Sequence, residues 1–335
     1  MTERIDWLDI AKAISIALVV MMHATLGVGD DMGGEGFMHA IVAFAQPFRI
    51  PAFFLLAGLL AARATARSWS DLVDRKVMFY AYFYVLWVTI QFAFKAPLFA
   101  AELGWGGVAG AYFTAFIEPF GTLWFIAVLP LYFAIAKAAD DLPTAVVLAG
   151  ALIVHLLPIH TGWLLLDGTA EFLIFFLLGH RLYKRIFDYA EVVSSHIWIA
   201  LGALVGWAVL HQALIGFGGF TGVKTVMSLA GAAAVIAASV VLSAWPKMDW
   251  ARWIGQHTLV IYLAFFLPMV ISREALVRLG VIETIGVVSL LVWLAAMIGP
   301  VIGYLIIKRV GFGLFLFERP AWFSINTSAR PQPAE

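Results

Sequence analysis

Arg4-Ile-Asp-Trp-Leu-Asp-Ile-Ala-Lys-Ala-Ile-Ser-Ile-Ala-Leu-Val-Val-Met-Met-His23 puts two carboxylates, a lysine and a histidine on a segment otherwise apolar enough to enter a membrane. An ionisable side chain inside a spanning helix costs roughly 2.5–3.5 kcal/mol on insertion scales, so it usually faces protein or a water-filled path and marks function. The run contains no small-residue cleavage pattern and carries acids before its apolar part, so it reads as a retained first spanning helix rather than a signal peptide.

Composition extends that reading to the whole chain. Of 335 residues, 63% are hydrophobic and only 13% charged, with a mean hydropathy of +0.95. These values describe an integral membrane protein with almost no soluble part. A formal net charge of +0 gives no sign of nucleic-acid binding, and the lack of cysteine excludes disulfides, a thiolate nucleophile and cysteine-held metals. No metal site is expected.

A span needs about 20 mostly apolar residues. Candidate spans are Asp9–Gly29, Met38–Ala62, Val77–Phe99, Thr122–Lys137, Thr144–Pro158, Thr169–Lys184, His196–Ile215, Val223–Trp245, Trp253–Ile271 and Ile282–Lys308. The expected fold is therefore an all-α polytopic bundle of about ten transmembrane helices. Glu102–Pro119, rich in glycine and aromatics, reads as a loop or interfacial segment. With both termini cytoplasmic, sixteen of the 21 Lys and Arg fall on the inner side, as the positive-inside rule requires. Residues 1–318 read as one transmembrane domain and 319–335 as a flexible cytoplasmic tail.

The polar residues divide by depth. Asp9 and Lys12, three apart, share a helix face and neutralise each other at the headgroup level. His23 lies about 21 Å further along the helix axis, in the outer half of the membrane, and imidazole is the side chain best suited to move protons near neutral pH. Arg49 enters the second span from the outer side at a comparable depth. It either reaches outer headgroups or acts as a fixed cation for an oxyanion. Arg75 and Lys76 close the most basic stretch of the chain, where topology alone or docking of nucleotide phosphates would both account for them. Glu171 belongs to an outer group with His155, His160 and Asp167, read mainly as rim residues. There is no G-x-S-x-G, P-loop, H-E-x-x-H or G-x-G-x-x-G.

Several segments together resemble the acyltransferase 3 family of integral-membrane O-acyltransferases, and within it the fucose 4-O-acetylase-like branch. They are Arg4 through His23, Phe48-Arg-Ile-Pro-Ala-Phe-Phe-Leu-Leu-Ala-Gly58, Arg75-Lys76, Leu123-Trp-Phe-Ile-Ala-Val-Leu129, Phe175-Phe-Leu-Leu-Gly179 and Ile254-Gly-Gln-His-Thr-Leu-Val-Ile-Tyr-Leu263. The chain departs from that pattern at Ala57-Gly58, where relatives often have Ser-Gly, and at Ala264-Phe265, where they often carry a histidine. Arg49 also stands where relatives commonly have histidine or another residue.

The resemblance implies transfer of an acyl group, usually acetyl, from cytoplasmic acyl-CoA to a sugar hydroxyl of a surface or exported glycan. The protein would sit in the bacterial inner membrane, with acyl-CoA, a glycan or lipid-linked sugar and the bilayer as its partners. His23 would be catalytic with Arg49 beside it, Arg4, Arg75 and Lys76 would bind the donor, and Asp9, Lys12, Trp124 and Glu171 would support the substrate or the site. The rival reading is a proton-coupled transporter or flippase, in which His23, Asp9 and Lys12 form a proton path and Arg49 binds an anion. That reading asks for inverted repeats and broken helices, and the sequence shows neither, with Pro268 and Pro300 as points where late spans could be interrupted.

Overall fold

The computed structural model describes residues 5–119 and 121–325. Among the described residues the structure is helical, with no extended strand. In chain order the helices are α1 (Asp6–Met32), α2 (Phe37–Ala45), α3 (Arg49–Thr65), α4 (Trp69–Leu72), α5 (Phe79–Thr114), α6 (Trp124–Ala138), α7 (Thr144–Leu156) and α8 (Leu164–Arg181). Then follow α9 (Tyr183–Ser195), α10 (Ile197–Leu214), α11 (Thr221–Ser243), α12 (Asp249–Gln256), α13 (Thr258–Ala264), α14 (Phe266–Leu279) and α15 (Ile285–Val310). They form two compact units, one holding the described residues up to Leu60 with Phe175–Gly303, the other Ala61–Ile174 with the described residues from Tyr304 onward.

Each expected span overlaps a helix or a bent helix pair, although Trp253–Ile271 starts inside α12 and stops midway through α14. Among the described residues six helices are long and apolar enough to cross a membrane, and eight if each bent pair is one span. The two shortfalls from ten have physical causes. Helix α7, with 13 residues, is about 20 Å long against a hydrocarbon core of about 30 Å. Helix α8 carries Asp167, Glu171 and Arg181 within its 18 residues.

In the first unit, where α9 and α10 pack on α11, α1 is a central helix. Asp6 and Asp9 suit the positive end of its dipole, and Gly33, at φ 69°, ends it in a left-handed cap whose N–H returns to the Gly29 carbonyl. Helices α2, α11, α12, α13 and α14 lie against it, and Trp293 Nε1 of α15 donates to the Ala17 carbonyl at 3.0 Å. Helix α10 is the opposite case: Trp198 is 85% and Ile199 70% exposed. An apolar face so bare is stable where lipid is the solvent.

Two helices that read as continuous in the sequence are bent. The α2–α3 pair turns by 48° at Gln46-Pro47-Phe48, and the α13–α14 pair turns by 52° at Phe265. Pro268 sits in the first turn of α14 just past the second bend, where a missing N–H costs little, whereas Pro300 stays inside α15.

In the second unit the stretch expected as a loop is helical. Gly104, at φ 69°, breaks α5, and the chain folds back so that the Tyr112 hydroxyl meets Thr89 Oγ1 at 2.8 Å and the Tyr112 ring meets Phe92 at 5.3 Å. Only glycine adopts that conformation without strain, so one residue converts a long apolar run into a hairpin. Just before Glu318 the chain lies against α5, whose Tyr82 and Trp87 donate to the carbonyls of Phe315 and Leu316, both at 2.9 Å, and Arg319 is buried.

Candidate active site

His23 is half-buried on α1. Its ring lies 5.5 Å from that of Phe265, tilted by 34°, and Phe265 is the fully buried residue at which α13 and α14 bend apart. Phe265 thus forms part of the wall against which the imidazole rests. One and two turns further along α1, Gly27 and Asp31 follow on the same face. Arg273 of α14 pairs with Asp31 at 2.9 Å, and a Cβ on Gly27 would lie 2.1 Å from Arg273 Nη1. Helix α14 therefore tracks α1 from His23 to Asp31. The i+4 and i+8 spacing from His23 was available in the sequence as a signal for Asp31, but nothing local pointed to Arg273.

Arg49 is the first residue of α3, immediately after the bend. The bend is a built structure. His211 Nε2 contacts the Phe44 carbonyl at 2.9 Å, Ser228 Oγ donates to the Pro47 carbonyl at 2.6 Å, and Phe48 packs on Trp207 and His211 at 5.5 and 5.3 Å. Carbonyls left over at a helix interruption must find such partners inside a membrane protein. Arg49 Nη1 adds one more bond of this kind, to the Val42 carbonyl at 3.1 Å. Among the described residues its Nε has no partner and no carboxylate pairs with it. Val42 also packs with Met38 and with Met21, two residues before His23. The α1–α2 packing thus places the anchor of Arg49 near the turn of α1 that carries His23, although no hydrogen bond or ion pair joins the two side chains.

The start of α1 is an ion network. Lys12 pairs with Asp9 at 2.9 Å, Gln256 Nε2 donates to Asp9 Oδ2 at 3.1 Å, and Arg252 bridges Asp6 at 2.9 Å and Asp249 at 2.6 Å. Helix α12 comes this close because Gly255 has no Cβ; one there would lie 1.8 Å from the Asp9 carbonyl oxygen. The geometry of Asp9 and Lys12 is that of mutual neutralisation at a helix entrance. Arg4 lies outside the described residues.

In the second unit Arg75 and Lys76 fall in a π-helical turn, Val73–Met78. Lys76 Nζ sits over the Phe133 ring at 5.4 Å, and Arg75 is half-buried with no carboxylate partner among the described residues. Between the turn and residues 319–325 runs an unforeseen clasp. Asp74, with no exposed surface, is held by Arg319 Nη2 at 3.1 Å, by Ser324 Oγ at 3.0 Å and by the Ile325 amide at 2.8 Å. The partners are 245 residues apart for Arg319, which no local pattern reveals.

Trp124 opens α6, stacking obliquely on Phe172 at 5.7 Å, and Glu171 offers its carbonyl to His155 Nδ1 at 2.7 Å. A cleft of about 410 Å³ in this unit is lined by Phe92, Phe99, Thr114, Glu118 and Gly121 among others, and none of the expected site residues lines it. No group of three or more His, Asp or Glu that could hold a metal occurs among the described residues.

A family model described as an acyltransferase domain, Acyl_transf_3, matches residues 5–309. None of the curated proteins matches the chain, and none of the solved structures does.

Proposed function

The chain belongs to the acyltransferase 3 family, and on that premise we propose that it moves an acetyl group from cytoplasmic acyl-CoA to a sugar hydroxyl of a cell-surface or exported glycan. It is a multi-pass membrane acyltransferase; the donor, the acceptor, the inner membrane and the cytoplasmic termini are our reading.

His23 acts as general base. It takes the proton of the acceptor hydroxyl as that oxygen attacks the thioester carbonyl, a function typically worth about 10²–10⁴ in rate. Arg49 meets the oxyanion of the tetrahedral intermediate. Collapse then breaks the carbon–sulfur bond, and the proton returns from His23 to the CoA sulfur. Arg75 and Lys76, with Arg4, bind the phosphates of the donor. Asp9 and Lys12 support α1, and Trp124 and Glu171 support the substrate.

The observation that supports this reading most is the state of Arg49: a guanidinium held at a rigid bend, with its Nε unpartnered among the described residues. A cation fixed in that way needs no reorganisation when negative charge develops beside it. The decisive experiment replaces His23 with alanine and measures glycan acetylation in intact cells. At normal membrane levels acetylation disappears; retained acetylation would overturn the assignment.

The two bent pairs are the one observation that speaks for the transporter reading, which expects interrupted helices. Reconstituted protein separates the two readings. Loss of the acetyl-CoA thioester with acceptor present is expected here, and uptake without thioester loss would favour transport.

A further inference from the structure

We propose that Arg319, together with Ser324 and the Ile325 amide, is a positioning clasp that shapes the π-turn presenting Arg75 and Lys76 to the phosphates of the acyl donor. The inference rests on the reading of Arg75 and Lys76 as donor-binding residues.

The clasp sits on the π-helical turn itself. Such turns are frequent at functional sites. Here Arg319 Nη1 donates to the main-chain carbonyl of Asp74 while the guanidinium fork grips the Asp74 carboxylate, Nη1 to Oδ1 at 3.3 Å and Nη2 to Oδ2 at 3.1 Å. A π-turn contains one extra residue, so side chains within it fall progressively behind their α-helical positions, and those beyond it are shifted by about 100°. Arg75 and Lys76 lie inside this turn.

The clasp also removes the neighbouring negative charge. Asp74 precedes the two cations in sequence, and a carboxylate free to swing there would compete with a phosphate for them. With Arg319, Ser324 and Ile325 all on its oxygens, the carboxylate is fully committed and buried. The strap is fastened further along α5 as well, through Tyr82 to Phe315, Trp87 to Leu316, and the Tyr82 ring against Phe323 at 5.1 Å.

The test uses the full-length protein in membranes and follows KM for acetyl-CoA against kcat, with binding of coenzyme A and of dephospho-coenzyme A as a direct probe. Arg319→Lys keeps the charge but loses the two-pronged grip, and it is expected to raise KM about tenfold while kcat at saturating donor stays within about threefold. Ser324→Ala, a milder change, is expected to raise KM by about threefold. Arg75→Ala is the reference, shifting KM the same way.

If Arg75→Ala raises KM while Arg319→Lys and Ser324→Ala leave it unchanged, the clasp proposal is overturned and the donor reading stands. If Arg75→Ala and Lys76→Ala leave KM and coenzyme A binding unchanged, the donor reading itself falls. Should Arg319→Lys fail to accumulate, Ser324→Ala decides alone, an unchanged KM refuting the clasp.

Discussion

Replacing Arg49 by methionine separates a structural role from a chemical one by size. The side chain makes one hydrogen bond, to the Val42 carbonyl, which the Gln46 amide passes over in favour of Ala43. A hydrogen bond to a charged group contributes about 1.5–3 kcal/mol net. Removing a half-buried guanidinium whose Nε lacks a partner returns a desolvation cost of about 1–3 kcal/mol. The two effects oppose each other, and the bend keeps its bonds from His211 and Ser228. Arg49→Met should therefore change stability by no more than about 2 kcal/mol. Its effect on rate should be larger, a fall in kcat of about 10²–10³, because an oxyanion donor is lost. Thermal unfolding in detergent alongside acyl-transfer kinetics measures both. Arg319→Met provides the scale for a structural arginine, since breaking a buried ion pair costs about 3–5 kcal/mol. A loss of stability on that scale with kcat within threefold of the parent would refute the reasoning about Arg49.

Two further outcomes follow from packing and from pH. A Cβ on Gly58 would lie 1.9 Å from the Phe176 carbonyl oxygen and one on Gly179 would lie 2.0 Å from that of Leu55, so α3 and α8 meet backbone to backbone there. Gly58→Ala should cost about 1–3 kcal/mol or more, whereas Gly150→Ala on α7, with nothing within 4 Å, should be neutral or mildly stabilising; equal unfolding midpoints for the two would contradict the packing. The Asp167 carboxyl is held below the usual carboxylate range, first by the Thr161 amide and then by the Thr161 hydroxyl and the Gly162 amide. A lowered folded value means that this turn is fully supported above about pH 4, the unfolded value, and loosens as pH falls through the folded one. Exchange of the Thr161 and Gly162 amides, corrected for its intrinsic pH dependence, should stay slow from pH 7 to 5 and speed up only in stronger acid; loosening already near pH 6 would assign the turn to another group.

What the sequence revealed was what depends on neighbours along the chain. Run length and periodicity placed a helix at each expected span, and the spacing of Asp9 and Lys12 anticipated their ion pair. The hairpin at Gly104 was not legible, because a glycine among apolar residues signals a turn only when its φ is known. Of the two bends, the second lies next to Pro268, which the sequence did offer as an interruption. The first was not legible, since Pro47 marks a position a helix could have tolerated and the side chains that settle it come from α10 and α11. The contacts that complete the candidate site are remote. Asp9 meets Gln256 at a separation of 247 residues, and Asp74 meets Arg319 at 245. In the sequence Asp74 looks like one more charge in a basic loop, and Arg319 like part of a tail.

The interruptions also sort the arginines. In a bilayer each carbonyl stranded at a helix end or break costs several kcal/mol unless a donor reaches it, so cations near breaks have a structural reason to be there before any catalytic one. Lys137 serves the Thr65 carbonyl at the end of α3, Arg319 the Asp74 carbonyl in the π-turn, and Arg49 the Val42 carbonyl at the α2–α3 bend. Position at a break therefore says nothing about chemistry by itself; whether the cation pairs with a carboxylate does. Arg319 commits its fork to Asp74 and is nearly sealed from solvent, so it can act only by holding the turn. Arg49 satisfies one carbonyl and meets no carboxylate among the described residues, so its guanidinium, unlike that of Arg319, is not committed to an ion pair there. That difference in carboxylate pairing, rather than burial or depth, is the physical reason to expect rate loss at Arg49 and KM change at Arg319.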